Sequence, residues 1–261
     1  MTGAGGGFGE LVARKAAARG ARVTLGDVNI EGAEAVAAQI CEAGGEALAK
    51  QVDLTELDAD KAPVSAAVNA LGQVDVMINN GGIMPLAFFS DHETAHVAWH
   101  RVIDVNIKGV LNGMIAAHDP MMEKGSGQIV NISSIYGNFP VVGAAVYGAT
   151  KTAVNFLSES FRVETRGKIK VSVVKPTGVP GTGLTGSVIN RAAGVGIVGQ
   201  NAGELAEMLL AVEEGRGDYL NGFPRDFLCP PLARLYRRRD TARHRPAAGR
   251  VNWRHNGSGF W

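Results

Sequence analysis

Short, mostly apolar runs alternate with longer stretches of helical period along most of this chain. Arg22 to Asp27, Glu46 to Val52, Val74 to Ile78, Gln128 to Ser133 and Lys170 to Lys175 are five to seven residues long, the length of strands rather than helices. Between them, Glu10 to Gly20, Asn29 to Ala43, Thr55 to Leu71, Ser90 to Asn106 and the stretch from Tyr147 to about Arg166 predict helices. Gly20 ends the first, Pro63 should interrupt the third, and Ser90-Asp91-His92-Glu93 resembles a capping box opening the fourth. A last helix is expected over roughly residues 202–214. Strands that alternate with helices imply an α/β fold, a doubly wound parallel sheet with helices on both faces.

Ligands of such sheets gather at the carboxyl ends of the strands, and Gly3, Asp27, Asp53, Asn79 and Ser134 all fall at predicted strand ends. Thr2-Gly3-Ala4-Gly5-Gly6-Gly7-Phe8-Gly9 runs straight into a helix. A backbone without side chains can approach a pyrophosphate closely, and free amides at a helix start point at it. A flexible glycine-rich terminus is the blander reading. Asp27, eighteen residues past Gly9, stands near the spacing at which a carboxylate accepts hydrogen bonds from an adenosine ribose, and no arginine follows to take a 2'-phosphate. NAD is therefore favoured over NADP. The alternative is that Asp27 only caps the next helix.

With 261 residues, 46% hydrophobic and 20% charged, the chain can bury a full core. Charge divides it unevenly: residues 1–236 carry 19 Lys+Arg against 24 Asp+Glu, whereas 237–261 carry seven arginines and one aspartate. That division suggests one domain over 1–236 followed by a basic, disordered tail over 237–261. Solvated disorder is a more economical reading of the tail than nucleic-acid or acidic-membrane binding. Cys41 and Cys229 are too few for a disulfide framework, and no signal peptide or membrane-length apolar run occurs. The expectation is a cytoplasmic protein with no membrane partner.

Two patterns carry candidate chemistry. Tyr147 and Lys151 stand four residues apart, on one face of a predicted helix, where an ammonium beside a phenol would lower its pKa toward the range of general acid-base work. Ser134, thirteen residues earlier, follows the apolar run Ile129 to Ile132 and could bind the same substrate oxygen. His92-Glu93-Thr94-Ala95-His96 matches the zinc-hydrolase pattern HExxH, but it lacks a recognisable third ligand, so a polar helix face is preferred and no metal site is expected.

Placed together, Thr2-Gly3 with Gly7 and Gly9, Asn79-Asn80-Gly81-Gly82, the lone Asn106, and Ser134 with Tyr147 and Lys151 resemble the short-chain dehydrogenase/reductase family over about residues 1–220. The resemblance implies a Rossmann-type fold and hydride transfer between NAD(P) and a secondary alcohol or ketone. It implies Tyr147 as proton donor and acceptor, Ser134 as the group orienting the substrate oxygen, Lys151 as partner of both the tyrosine and the nicotinamide ribose, and Asn106 as holder of a relay water. It places Gly3, Gly7, Phe8 and Gly9 at the pyrophosphate, Asp27 at the adenine ribose, Asp53 and Leu54 near the adenine, and Asn80, Gly81 and Pro176 along the cofactor cleft. A homodimer or homotetramer is the usual assembly. The family also begins with a central strand before the glycine turn, where only Met1 stands here. The expectation is thus a sheet missing that strand, with open edges between the strands ending at Asp27 and Asn79 and a mis-assigned start. Gly81 replaces the usual alanine and should loosen its turn, and Thr182 stands one residue later than the family's nicotinamide threonine.

Three functions compete: an NAD(P)-dependent oxidoreductase, a cofactor-binding protein without turnover, and a zinc hydrolase through His92, Glu93 and His96. Substrate specificity would come from a lid over about 177–203 and from loops near Pro85 to Phe89 and Asn138 to Val142. Leu86, Phe88, Phe89, Phe139, Val141, Val142 and Leu184 in these segments suggest a hydrophobic alcohol or ketone.

Overall fold

Each predicted strand forms, and each pairs parallel to its neighbour. The computed structural model describes residues 1–177 and 183–194. Thr182, the remainder of the lid, the helix near 202–214, Cys229 and the basic tail lie outside the described residues.

Strands β1 (Arg22–Asp27) and β2 (Glu46–Gln51) pair from Arg22↔Glu46 to Asp27↔Gln51. Strands β3 (Val76–Asn79), β4 (Gly127–Ile132) and β5 (Ile169–Val174) form a second sheet in that order, with Asn79 beside Asn131 and Ile132 beside Val174. Helices α1 (Gly7–Ala17), α2 (Ile30–Glu42), α3 (Leu57–Leu71), α4 (His92–Ile103), α5 (Gly109–Lys124) and α6 (Ala145–Glu164) alternate with them, as a doubly wound fold requires.

The expected break in the sheet falls between β1 and β3. Met1 and Thr2 bridge it at the carboxyl end. Gly26 N–H donates to Met1 O at 2.8 Å, and Thr2 N–H donates to Ile78 O at 3.0 Å. Behind this bridge the sheets do not join, and Met1, Leu11 and Val76 pack against a core of Phe8, Val12, Ile78, Val130, Ile132 and Val174. Separate cores lie on either side: Leu25, Val36 and Ile40 between β1 and α2, and Met77, Met114, Met121, Ile129 and Val154 between β3–β5 and α5–α6.

Two local expectations change. Pro63 lies inside α3 without ending it. The fourth helix starts at His92, after a single 3-10 turn over Phe89–Asp91. Its entry is fixed not by Ser90 and Glu93 but by the Asp91 carboxylate, which accepts from Phe88 N–H at 2.9 Å and from Asn190 Nδ2 at 2.9 Å. The carboxylate thus satisfies a backbone donor and ties a distant segment in one step.

Candidate active site

The carboxyl ends of both sheets open on one cleft of about 800 Å³. The end of the cleft at the glycine turn is built from backbone. The peptide from Thr2 to Gly6 turns sharply at Gly3, whose φ of 62° favours glycine, and enters α1 with no side chain capping the helix start. A methyl group on Gly9 would stand 2.0 Å from Gly3 O, so turn and helix approach this closely only because residue 9 is glycine. Gly7, Phe8 and Gly9 border the cleft here, with the Phe8 ring itself buried in the core. The uncapped amides of this first turn form the anion-binding end of a helix dipole.

Asp27 stands at the end of β1 facing this turn. Its Oδ2 accepts from Gly5 N–H at 2.8 Å and its Oδ1 from Asn29 N–H at 2.9 Å. The cap of α2 is Asn29, whose side chain accepts from Gly32 N–H, so Asp27 is not simply a helix cap. Asp53 also borders the cleft, but its Oδ1 is held by the Thr55 N–H and hydroxyl at 3.0 and 2.8 Å, bonds that hold its pKa below the usual carboxylate value.

Thr2, which opens the glycine motif in the sequence but was given no role of its own there, locks the turn to the second sheet. Its Oγ1 accepts from Asn80 N–H and Gly81 N–H, both at 3.1 Å, and Asn80 Nδ2 returns bonds to Thr2 O and Gly3 O at 3.1 and 2.8 Å. Gly81 does more than loosen its turn. A Cβ there would lie 2.5 Å from Leu54 Cδ1, so the missing methyl makes room for Leu54 in the cleft wall.

At the other end β4 delivers Ser134 and α6 delivers Tyr147 and Lys151, all three buried and all bordering the cleft with Pro176. Ser134 stands beside the Tyr147 phenol, close enough to favour its ionised form. Lys151 Nζ donates to Ile132 O at 2.9 Å and lies 5.7 Å from the centre of the Tyr147 ring. The two side chains share a face, as their spacing predicts. The expected lowering of the phenol pKa does not follow from the protein groups alone: burial outweighs the effect of the neighbouring Ser134 and pushes Tyr147 up to about 12. Burial likewise pushes Lys151 down to about 8, since desolvation disfavours its charged form.

Asn106 lies one layer behind, in a π-helical turn over Asp104–Lys108 between α4 and α5. Its Oδ1 accepts from Ile83 N–H, and its Nδ2 donates to Ile83 O and to Thr150 Oγ1, at 3.0, 3.0 and 3.2 Å. The side chain is thereby committed to the loop after β3 and to α6, not to the open cleft.

Above the tyrosine the walls are apolar, but not with the residues expected. Of the seven apolar residues named from sequence only Leu184 borders the cleft; Leu86 packs into the core, while Phe89 and Val142 are exposed. Ile83, Met84 and Tyr136 take their place. The described part of the lid, residues 183–194, is tied down. Ile189 and Asn190 N–H groups donate to Leu86 O, and Met84 N–H donates to Ser187 Oγ at 2.8 Å. His92, Glu93 and His96 lie exposed on α4, with His96 Nδ1 3.1 Å from two carbonyls of its own helix; among the described residues no three His, Cys, Asp or Glu are placed to hold a metal ion.

Known proteins extend this picture. Residues 1–193 match the family profile described as short chain dehydrogenase. The chain is 35% identical over 190 residues to the 2,5-dichloro-2,5-cyclohexadiene-1,4-diol dehydrogenase of Sphingobium indicum, covering 72% of this chain and 74% of that one. It is 38% identical over 177 residues to the 3-alpha-(or 20-beta)-hydroxysteroid dehydrogenase of Mycobacterium tuberculosis, covering 67% and 66%. A metagenomic short-chain oxidoreductase solved with NADP superposes with a TM-score of 0.68 at 31% identity, over 81% of this chain and 87% of that one. A short-chain dehydrogenase/reductase from Burkholderia phymatum, solved with NAD, matches in fold with a TM-score of 0.75 at 24% identity, over 97% and 96%. The chain belongs to the short-chain dehydrogenase/reductase family.

Proposed function

We propose that this cleft interconverts a ring-borne secondary alcohol and its ketone with a nicotinamide cofactor, NAD in preference to NADP. The observation that carries the reading is Ser134, Tyr147 and Lys151 buried together at one cleft, which also holds an uncapped helix start. The cradle suits a dinucleotide. Gly6 has open space where a side chain would stand, the first-turn amides of α1 suit a pyrophosphate, and Asp27 suits a free 2'-hydroxyl while repelling a phosphate.

When bound, the nicotinamide supplies a two-electron acceptor or donor of hydride. The protein's part is positional and acid-base. In oxidation the Ser134 hydroxyl would hold the substrate oxygen while the Tyr147 phenolate takes its proton, as the C–H bond breaks with its electron pair leaving as hydride. Lys151 in its charged form would favour the phenolate, and the Asn106 turn would hold a relay water. The protein's own bias toward neutral phenol predicts an oxidation rate that rises toward alkaline pH.

The substrate class rests on Ile83, Met84 and Leu184 around the tyrosine and on the relatives, whose names denote ring alcohols. A cytoplasmic setting is in keeping with the exposed free thiol of Cys41, and among the described residues no helix is long and apolar enough to cross a membrane. Exposed Leu111 and Ile115 on α5 and Phe156 and Val163 on α6 support a homo-oligomer. The break between the sheets favours a second reading, a cofactor-binding protein without turnover.

One experiment separates the readings: titration of the purified chain with NADH and NADPH by nicotinamide fluorescence, followed by oxidation assays on cyclohexanol and its homologues with Tyr147→Phe as control. Binding with Tyr147-dependent turnover supports the enzyme. Binding without turnover supports the second reading, and no binding overturns both.

A further inference from the structure

Among the described residues the substrate end of the cleft holds a phenol that the reaction does not use. Tyr136 borders the cleft two residues after Ser134, half-buried, with its ring edge-on to that of Tyr147 and the ring centres 6.2 Å apart. Its backbone N–H is engaged with Ser134 Oγ at 3.2 Å, which fixes where the residue stands. Its hydroxyl has no hydrogen-bond partner in the described protein. Burial holds its pKa above the usual phenol value, so it stays protonated and able to donate through neutral and alkaline pH.

We propose that Tyr136 is a specificity-determining residue, whose hydroxyl donates a hydrogen bond to a second oxygen on the substrate, so that the preferred substrates are cyclic diols or hydroxyketones rather than simple alcohols. The inference rests on the secondary-alcohol reading of the cleft. Its physical basis is the cost of an unmet donor. A substrate that enters displaces the water around Tyr136, while Ile83, Met84 and Leu184 offer it nothing in exchange. A buried polar group left without a partner is penalised far more than a satisfied one is rewarded, so the site discriminates against a ligand lacking the second oxygen. Ser134 and Tyr147 are taken up by the reacting oxygen in that reading, which leaves Tyr136 for the second one. Ring packing alone would be met equally well by phenylalanine.

The test compares wild type and Tyr136→Phe on cyclohexanol and on the 1,2-, 1,3- and 1,4-cyclohexanediols. Wild type should favour at least one diol over cyclohexanol by about tenfold or more in kcat/KM, the range one satisfied donor provides. In Tyr136→Phe the two changes should have opposite signs: kcat/KM falls about tenfold for that diol, mainly through KM, and rises for cyclohexanol. A role confined to packing against Tyr147 would move both substrates in the same direction, and that outcome overturns the proposal. So does a diol-to-alcohol ratio unaltered by the substitution. Tyr136→Leu, which removes ring and hydroxyl together, should also lose the diol preference; retention there overturns the proposal even if Tyr136→Phe folds poorly. Failure of the underlying reading is distinct, since wild type would then oxidise none of the four compounds with either cofactor.

Discussion

The two sheets that share this cleft are built to different standards. The β3–β5 sheet carries Ser134 and faces α6 with its Tyr147 and Lys151. β3 and β4 are almost wholly buried and β5 half so, and the sheet's core runs through Met77, Met114, Met121, Ile129 and Val154. The β1–β2 sheet, which presents Asp27, has an outer strand with no fully buried residue, and among the described residues its backbone link to the other sheet runs through Met1 and Thr2, with α1 packed against both. In the proposed function, chemistry stands on the more deeply buried half and cofactor recognition on the shallower one. Acid-base groups need fixed geometry before substrate arrives, whereas a dinucleotide that spans the break can supply its own bracing on binding.

The comparison is broken most sharply at Tyr147. Tyr147→Phe should lower turnover by a factor of about 10²–10⁴, the usual contribution of a positioned acid-base group, while NADH affinity changes little. Steady-state kinetics beside a fluorescence titration checks this. An equal loss in both would mean that the two halves are not separable.

Thr2 tests the tether. Thr2→Val keeps the β-branched shape but leaves Asn80 N–H and Gly81 N–H without their acceptor, at about 1 kcal/mol each. NADH affinity should fall about tenfold to thirtyfold. Hydrogen exchange should quicken in β1 and β2 while β3–β5 stay protected. Uniform loss of protection would show one cooperative unit instead.

These contrasts were legible in the sequence only in part. The β/α alternation could be read because strand and helix differ in period and length, and the Tyr147–Lys151 face follows from helical geometry alone. The state of those side chains could not be read, because it depends on depth. Four residues of spacing say that an ammonium stands near a phenol, and say nothing of the burial that pushes Tyr147 up to about 12. Leu86 and Phe89 read as pocket walls, yet hydrogen bonds from Ile189 and Asn190 to Leu86 O turn that loop so that one packs inward and the other faces solvent. Such long-range contacts leave no periodic trace. The tethering role of Thr2, named only as part of the glycine motif, and the place of Tyr136 were missed for the same reason, although Tyr136 stands two residues from Ser134 and could have been weighed with it.

Depth also makes the more deeply buried half carry a stability penalty, which Lys151 exposes. Its pKa is about 8 in the fold against 10.5 for the free side chain, so the unfolded chain binds the proton more tightly. Stability is therefore reduced by about 3 kcal/mol below pH 8 and recovers as pH rises toward 10.5. Lys151→Met removes that penalty but leaves Ile132 O unpaired, at about 1 kcal/mol. The variant should be about 2 kcal/mol more stable than wild type at pH 6.5, with the gain shrinking by pH 9.5, and catalytically impaired at both. Urea denaturation at the two pH values decides it; a variant less stable at pH 6.5 would mean that the lysine gains more from its surroundings than burial removes.

The smallest expected effect lies in the shallower half. Solved relatives hold NADP in one case and NAD in another, so the fold accepts either and the choice falls to local charge. At the end of β1 that charge is Asp27, whose two oxygens each take a backbone N–H and still have lone pairs for a ribose hydroxyl. Asp27→Asn keeps the size and one acceptor but removes the charge. If the carboxylate acts by repelling a 2'-phosphate, the ratio of NADPH to NADH affinity should rise about tenfold, and less at high salt, where an exposed charge is screened. If Asp27 serves only to hold Gly5 and Asn29, both affinities should fall together with the ratio and its salt dependence unaltered. That result would place cofactor choice on another residue and leave Asp27 as a strut of the glycine turn.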